Sequence, residues 1–430
     1  MTLCIIIDTT CAMSEYPGVE SSVQVKNGLL RRVLFGICLS LFFQVQMVSA
    51  SVIKNSAHFK IIGRSDSFHY APASYSDATH PNPFFYDVFY YIPERLRDQS
   101  QVKAIVFNHG GGPSTFTRAS SIDMLTGHYL RDLVNVADQM GVIVVLPSAN
   151  GLNWNLNTVT LMRDLAAIIR TELNVDANSI GLAGHSMGGM GITRSYSMLA
   201  DQFSFFMPMS SGMDLSAMSE DQAEWHLNKV FNVPYFQIQG LRDPFHEFVT
   251  RGQDQETKTK ALEVKYGATS KLKMLFMDSD HSPEYEAMKI YAAKLFRESP
   301  RNLYQSELWG TLVTEDEWKD DNGTVYHLGS INRYFWVEAR ETDLTKSETI
   351  NFHAKIESNE IRIDMPVMPV QTHKLRIYLS SKTLNLANPV TVYINQAKLA
   401  THQPNSTHGL EKFDLTDPKF IYDDFVDVVW

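Results

Sequence analysis

Between Phe84 and Phe296, short apolar runs alternate with longer stretches of helical periodicity, and this alternation most constrains the fold the chain can adopt. "YDVFYYIP" and "VKAIVFNHGGG" read as strands rich in Val, Ile, Phe and Tyr, and "SIDMLTGHYLRDLVNVADQMG" as the helix that follows. "VIVVLPSANG" is a fully apolar strand, "VTLMRDLAAIIRTEL" an amphipathic helix, "SIGLAGHS" a strand and "GMGITRSYSMLA" a helix. Strands that lack polar alternation need cover on both faces, so the pattern predicts a mostly parallel sheet between two helical layers. "FSFFMPMSS", "VPYFQIQG" and "KLKMLFMD" continue the sheet, and "EYEAMKIYAAKLFRE" is its closing helix. This α/β unit is expected to occupy residues 51–300.

After Pro300 the period drops to two. Ile350, Phe352, Ala354 and Ile356 alternate with polar residues, as do Leu375, Ile377 and Leu379, and then Val390, Val392 and Ile394. "IESNEIRI" reads as a hairpin that turns at Ser358 and Asn359. Residues 325–430 are therefore expected to form a small antiparallel β-sandwich, and a chain of 430 residues has room for both cores.

The first fifty residues have a different character. Arg31 and Arg32 precede an apolar core from Val33 to Phe43, and Val48-Ser49-Ala50 supplies small residues suited to signal peptidase. Residues 1–50 read as an export signal cut after Ala50, which makes the protein secreted or periplasmic. A membrane span needs about 20 apolar residues, and Gln44 and Gln46 interrupt this one, so no stable anchor is expected after cleavage. A lipid anchor on Cys38 is disfavoured by the bulky Ile37 before it. The three cysteines, Cys4, Cys11 and Cys38, all lie in this leader, so the processed chain has no thiol and no disulfide. A formal net charge of −10 and the lack of a Lys/Arg block exclude a nucleic-acid partner.

Gly184-His185-Ser186-Met187-Gly188 matches G-x-S-x-G and stands between a strand and a helix, where the physics of that motif places it. A sharp turn there exposes the Ser186 hydroxyl and aims the Met187 N–H at the same point, and glycines flank it because side chains would clash. A tight turn without chemistry would explain the glycines but not the serine. His109-Gly110-Gly111-Gly112 follows an apolar strand and suits the loop that supplies the second oxyanion donor, from Gly111 or Gly112.

A serine hydroxyl needs a base, and the base needs an orienting carboxylate. Asp243 lies just past the strand "VPYFQIQG", and His281 lies between the next strand and the closing helix, in the order Ser, Asp, His. Asp278 and Asp280 compete for the role of Asp243, and His246 for that of His281. The Asp278–His281 cluster is not read as a metal site, because no second ligand cluster accompanies it. His109 and His185 flank the expected donors and nucleophile and would shape the loops or pocket floor; Trp154, in "NGLNWN", would wall the substrate site or belong to the core.

These residues resemble secreted α/β-hydrolase esterases of the poly(3-hydroxybutyrate) depolymerase and feruloyl esterase type. The resemblance rests on "YYIPERL", "HGGG", "MGVIVVLPS", "NWN", "ELNVDANSIGLAGHSMGGMG", "GLRDP" and "DH", and it covers Phe84 to Phe296. It implies an α/β-hydrolase fold and places the triad on Ser186, Asp243 and His281. "YFWVEAR" and "HKLRIYLSSKTLNLANPVTVYINQ" resemble a β-domain appended to some of these hydrolases. The expected activity is cleavage of a small or polymeric carboxylic ester through an acyl-enzyme, with no metal or organic cofactor. A prolyl-oligopeptidase-like peptidase and a non-catalytic polymer-binding protein are the alternatives.

Overall fold

The computed structural model describes residues 59–62, 88–111, 124–149, 154, 157–173, 175–216, 218–313, 317–319, 325–327, 333–340, 349–366, 374–404 and 422–429. The expected export signal and Gly112 lie outside the described residues. No described helix is long and apolar enough to cross a membrane.

Eight strands form the main sheet: β1 (Phe59–Ile62), β2 (Val88–Tyr91), β3 (Val102–Asn108), β4 (Val142–Pro147), β5 (Val175–His185), β6 (Phe205–Met209), β7 (Tyr235–Gly240) and β8 (Leu272–Met277). Their spatial order is β1-β2-β4-β3-β5-β6-β7-β8. β1, β2 and β4 pair antiparallel, and every pairing from β4 through β3 to β8 is parallel. This is the mostly parallel sheet that the alternation predicts.

The helices are α1 (Leu130–Met140), α2 (Asn157–Glu172), α3 (Met187–Leu199), α4 (Glu220–Leu227), α5 (His246–Tyr266) and α6 (Tyr285–Glu298). Adjacent residues of β6 show why two helical layers are needed. The Phe205 ring meets Phe296 of α6 at 4.9 Å, and the Phe206 ring meets Tyr196 of α3 at 5.6 Å. Side chains on a strand alternate between faces, so these contacts put α6 and α3 on opposite sides. α1 packs beside α6 and α2 beside α3. The sequence pattern passed over α4 and α5. α4 starts at a capping box in which Ser219 and Gln222 satisfy each other's backbone N–H groups.

The C-terminal strands are β9 (Glu307–Val313), β10 (Glu317–Lys319), β11 (Val325–His327), β12 (Arg333–Tyr334), β13 (Val337–Arg340), β14 (Thr349–Glu357), β15 (Glu360–Asp364), β16 (Lys374–Leu379), β17 (Val390–Ile394), β18 (Ala397–His402) and β19 (Asp424–Val429). One sheet runs β18-β17-β15-β14-β9, a second runs β12-β13-β16-β19, and β10 pairs with β11 alone. The period-two residues from Ile350 to Ile394 are all buried, as the alternation requires. The β14–β15 hairpin turns at Ser358, with φ 57°, and Asn359. One pairing, β15 with β17, is parallel where an antiparallel sandwich was expected.

The sandwich starts at β9, upstream of the expected boundary at 325, because β9 pairs with β14 over its whole length. Its sequence hides this role because Trp309 on one face is buried as well as Leu308 and Leu312 on the other. Leu308 and Leu312 face the sandwich core, while Trp309 packs against Phe231 at 5.0 Å and Tyr266 at 5.9 Å. Buried Asn232 stitches the seam: its amide nitrogen donates to the Trp309 carbonyl at 2.7 Å and to the Tyr334 hydroxyl at 2.8 Å. Its amide oxygen accepts from the Trp309 N–H at 3.0 Å. Removing these partners strands buried polar groups on both sides. Asn232→Ala is expected to lower the unfolding free energy by about 2–4 kcal/mol, read from the shift in urea midpoint at constant m-value.

Candidate active site

The site begins with a backbone turn. β5 ends at His185, α3 starts at Met187, and Ser186 between them is held at φ 52° and ψ −119°. A non-glycine residue in that region is strained and persists only where its surroundings enforce it. Here the Ser186 N–H donates to the Met209 carbonyl at 2.9 Å, and the Ser186 carbonyl accepts from the Met190 N–H at 3.0 Å. The flanking glycines let this turn press against the end of β3. A Cβ on Gly184 would lie 2.8 Å from the Asn108 carbonyl oxygen, and one on Gly188 would lie 2.1 Å from the same atom. Met187 opens α3, so its N–H belongs to the first helical turn, which has no intrahelical acceptor.

Two neighbouring strand ends supply the other groups. Asp243 follows β7, His281 follows β8, and those strands pair in parallel. His281 Nε2 lies 2.8 Å from Ser186 Oγ, and His281 Nδ1 lies 2.7 Å from Asp243 Oδ2. Asp243 is fully buried and also accepts from Gln239 Nε2 at 3.1 Å and from the Phe245 N–H at 2.9 Å. A carboxylate so placed accepts the Nδ1 proton, which leaves the Nε2 lone pair facing the serine O–H. The three competitors lie elsewhere. Asp278 pairs with Arg242 at 2.8 Å on the surface, Asp280 is fully exposed and is bonded by Ser282, and His246 is exposed at the start of α5.

His185, His109 and Trp154 are all buried, and their polar atoms go to protein partners. His185 Nε2 bonds the carbonyl of His281 at 2.9 Å and therefore carries the proton. His185 Nδ1 then accepts from the Tyr129 hydroxyl at 2.9 Å, and that hydroxyl accepts from the Gly110 N–H at 3.0 Å. A chain of hydrogen bonds thus ties the glycine loop, through Tyr129 and His185, to the backbone of His281. His109 Nε2 accepts from the Ala149 N–H at 2.9 Å, so its Nδ1 donates to the Gly110 carbonyl at 2.7 Å. The Trp154 indole donates to the His109 carbonyl at 2.7 Å. These side chains hold the loops that surround the serine.

Burial lowers His109 and His185 from their ordinary 6.5 to about 4, with the neighbouring His281 contributing at His185. Burial likewise raises Tyr129 to about 12. Sequence reasoning missed Tyr129 and Gln239. Tyr129 ends a π-helical turn, Leu125–Tyr129, which leaves no periodic signal, whereas the polar Gln237 and Gln239 in an otherwise buried strand were a visible one.

No protein-family profile and no curated protein matches the chain. Among solved structures it is similar to a fluorophosphonate-binding serine hydrolase of Staphylococcus aureus, with 11% identity, TM-score 0.38, and 55% of this chain and 98% of that one covered. It is also similar to a poly(3-hydroxybutyrate) depolymerase of Bordetella parapertussis, with 16% identity, TM-score 0.41 and coverage of 58% and 93%. A ferulic acid esterase matches with 17% identity, TM-score 0.37 and coverage of 56% and 99%.

Neutral His109 and His185 set an acid limit on stability. Their folded pKa values lie below 6.5, so as pH falls the unfolded chain binds protons first. Their contribution is complete above pH 6.5 and is lost towards pH 4, by on the order of 2–3 kcal/mol for each histidine. Thermal unfolding from pH 8 to pH 4.5 should give a Tm that is level above neutrality and falls below pH 6.5, with a shallower fall in His185→Gln.

Proposed function

We propose that this protein is an exported serine hydrolase that cleaves carboxylic esters through Ser186, His281 and Asp243. The observation that carries the reading is the unbroken line from Asp243 Oδ2 through His281 to Ser186 Oγ, with bonds of 2.7 and 2.8 Å. That geometry suits a nucleophile, its base and the group that fixes the base's tautomer.

In the first half-reaction His281 Nε2 takes the Ser186 proton as Oγ bonds to the ester carbonyl carbon. The carbonyl electron pair moves to its oxygen, where the Met187 N–H and the Gly111 end of the glycine loop would hold the negative charge. The carbon–oxygen bond to the alcohol then breaks. Its electron pair leaves with the alcohol oxygen, which receives the proton from Nε2. In the second half, His281 deprotonates a water that attacks the acyl-serine, and proton return to Ser186 Oγ releases the acid.

Export rests on Arg31, Arg32 and the apolar core from Val33 to Phe43. N-terminal sequencing of the secreted protein should begin at Ser51.

Hydrolysis of p-nitrophenyl acetate and butyrate by residues 51–430 tests the chemistry. Ser186→Ala should lower kcat by on the order of 10³-fold or more, and Asp243→Asn, which misdirects the imidazole protons, by about 10⁴-fold. Equal turnover in wild type and Ser186→Ala would remove Ser186 as the nucleophile.

A further inference from the structure

The imidazole of His281 sits in a cluster of rings. Phe248 lies almost parallel to it, at 5.8 Å and 19°, and Phe245 meets it edgewise at 4.8 Å and 66°. The two phenyl rings touch each other at 5.8 Å. Phe248 is 8% exposed, and its packing accounts for it as a support for the imidazole. Phe245 and Leu241 have no such account: they are 47% and 48% exposed, although both are large and apolar.

Their exposure does not come from a loose loop. The Leu241 N–H donates to the Met277 carbonyl at 2.8 Å, the Arg242 N–H to the Ser279 carbonyl at 2.9 Å, and the Phe248 N–H to the Phe245 carbonyl at 2.9 Å. The Phe245 N–H is fixed on Asp243 Oδ1 at 2.9 Å. The loop that delivers the buried carboxylate therefore holds two apolar side chains half in water, one of them against the proposed base. Apolar surface kept in that position is available to whatever binds beside the imidazole.

Chemistry decides which part of a substrate that is. The leaving oxygen must come within hydrogen-bond reach of His281 Nε2 to receive its proton. The alcohol half of the ester then lies on the imidazole side of Ser186, and groups in contact with the imidazole border the alcohol. We infer that Phe245 lines the alcohol subsite, and that the protein prefers esters whose alcohol part is apolar and aromatic. This inference rests on the ester-hydrolase reading above and adds a substrate class to it.

The test uses esters that share one acyl group. Benzyl acetate and ethyl acetate give the same acetyl-enzyme, so deacylation is common to both and the ratio of their kcat/KM values reports only how the alcohol is handled during acylation. The wild-type chain, residues 51–430, should favour benzyl over ethyl acetate by about tenfold or more. Phe245→Ser should move that ratio towards one, and Phe245→Leu should keep most of it. The ratio for ethyl phenylacetate over ethyl acetate, which varies the acyl side, should stay as in the wild type. A general displacement of His281 would lower all rates together and leave the benzyl-to-ethyl ratio intact, which would overturn the inference. A wild-type ratio near one, or an effect confined to the acyl series, would overturn it as well. These outcomes differ from failure of the underlying reading, which would appear as no turnover of any ester or as full turnover by Ser186→Ala.

Discussion

The close approach of the turn at Ser186 to the end of β3 is the constraint on which the rest of the site depends. Gly184 and Gly188 bring the backbone so near the Asn108 carbonyl that a single added carbon at either position would overlap it. That contact sets the height of Ser186 above the sheet and starts α3 at Met187. It also brings the glycine loop after β3 next to Ser186. Any relaxation of this packing would move the hydroxyl, the helix start and the loop together.

Around this turn, polar groups are joined in series. The Gly110 N–H, the Tyr129 hydroxyl, His185 and the His281 carbonyl form one hydrogen-bonded path that links the loops after β3 and β8 through the residue before the serine. In a buried setting each link is costly to break, because the freed donor or acceptor has no water to replace its partner. His185 can serve here only while neutral, since its Nδ1 must accept from Tyr129. Burial and the nearby His281 keep it so. The same logic holds for His109, which accepts the Ala149 N–H while it donates to Gly110.

The second domain is joined to the first by a core as well as by the chain. Trp309 enters a pocket of Phe231 and Tyr266, and Asn232 bonds both backbone groups of Trp309, much as a neighbouring strand would. β9 therefore belongs to the sandwich by its pairing and to the α/β unit by its tryptophan. This double burial erased the alternation by which the other strands of the sandwich were recognised.

What the sequence determined by itself was whatever local chain geometry controls. Apolar runs gave the parallel strands, alternation from Ile350 to Ile394 gave the sandwich, and glycines around one serine gave the sharp turn, because each depends on residues a few positions apart. The order of the strand ends also favours Asp243 over its competitors Asp278 and Asp280 as the partner of His281. The bond itself depends on the parallel register of β7 and β8, which brings a residue 38 positions away to the imidazole. The assignment of His185, Tyr129 and Trp154 to loop support followed from burial and hydrogen-bond direction, and the half-exposed Phe245 beside the imidazole from how the loop after β7 is pinned. Such properties arise where strand ends from distant parts of the chain converge, and the tertiary structure alone decides them.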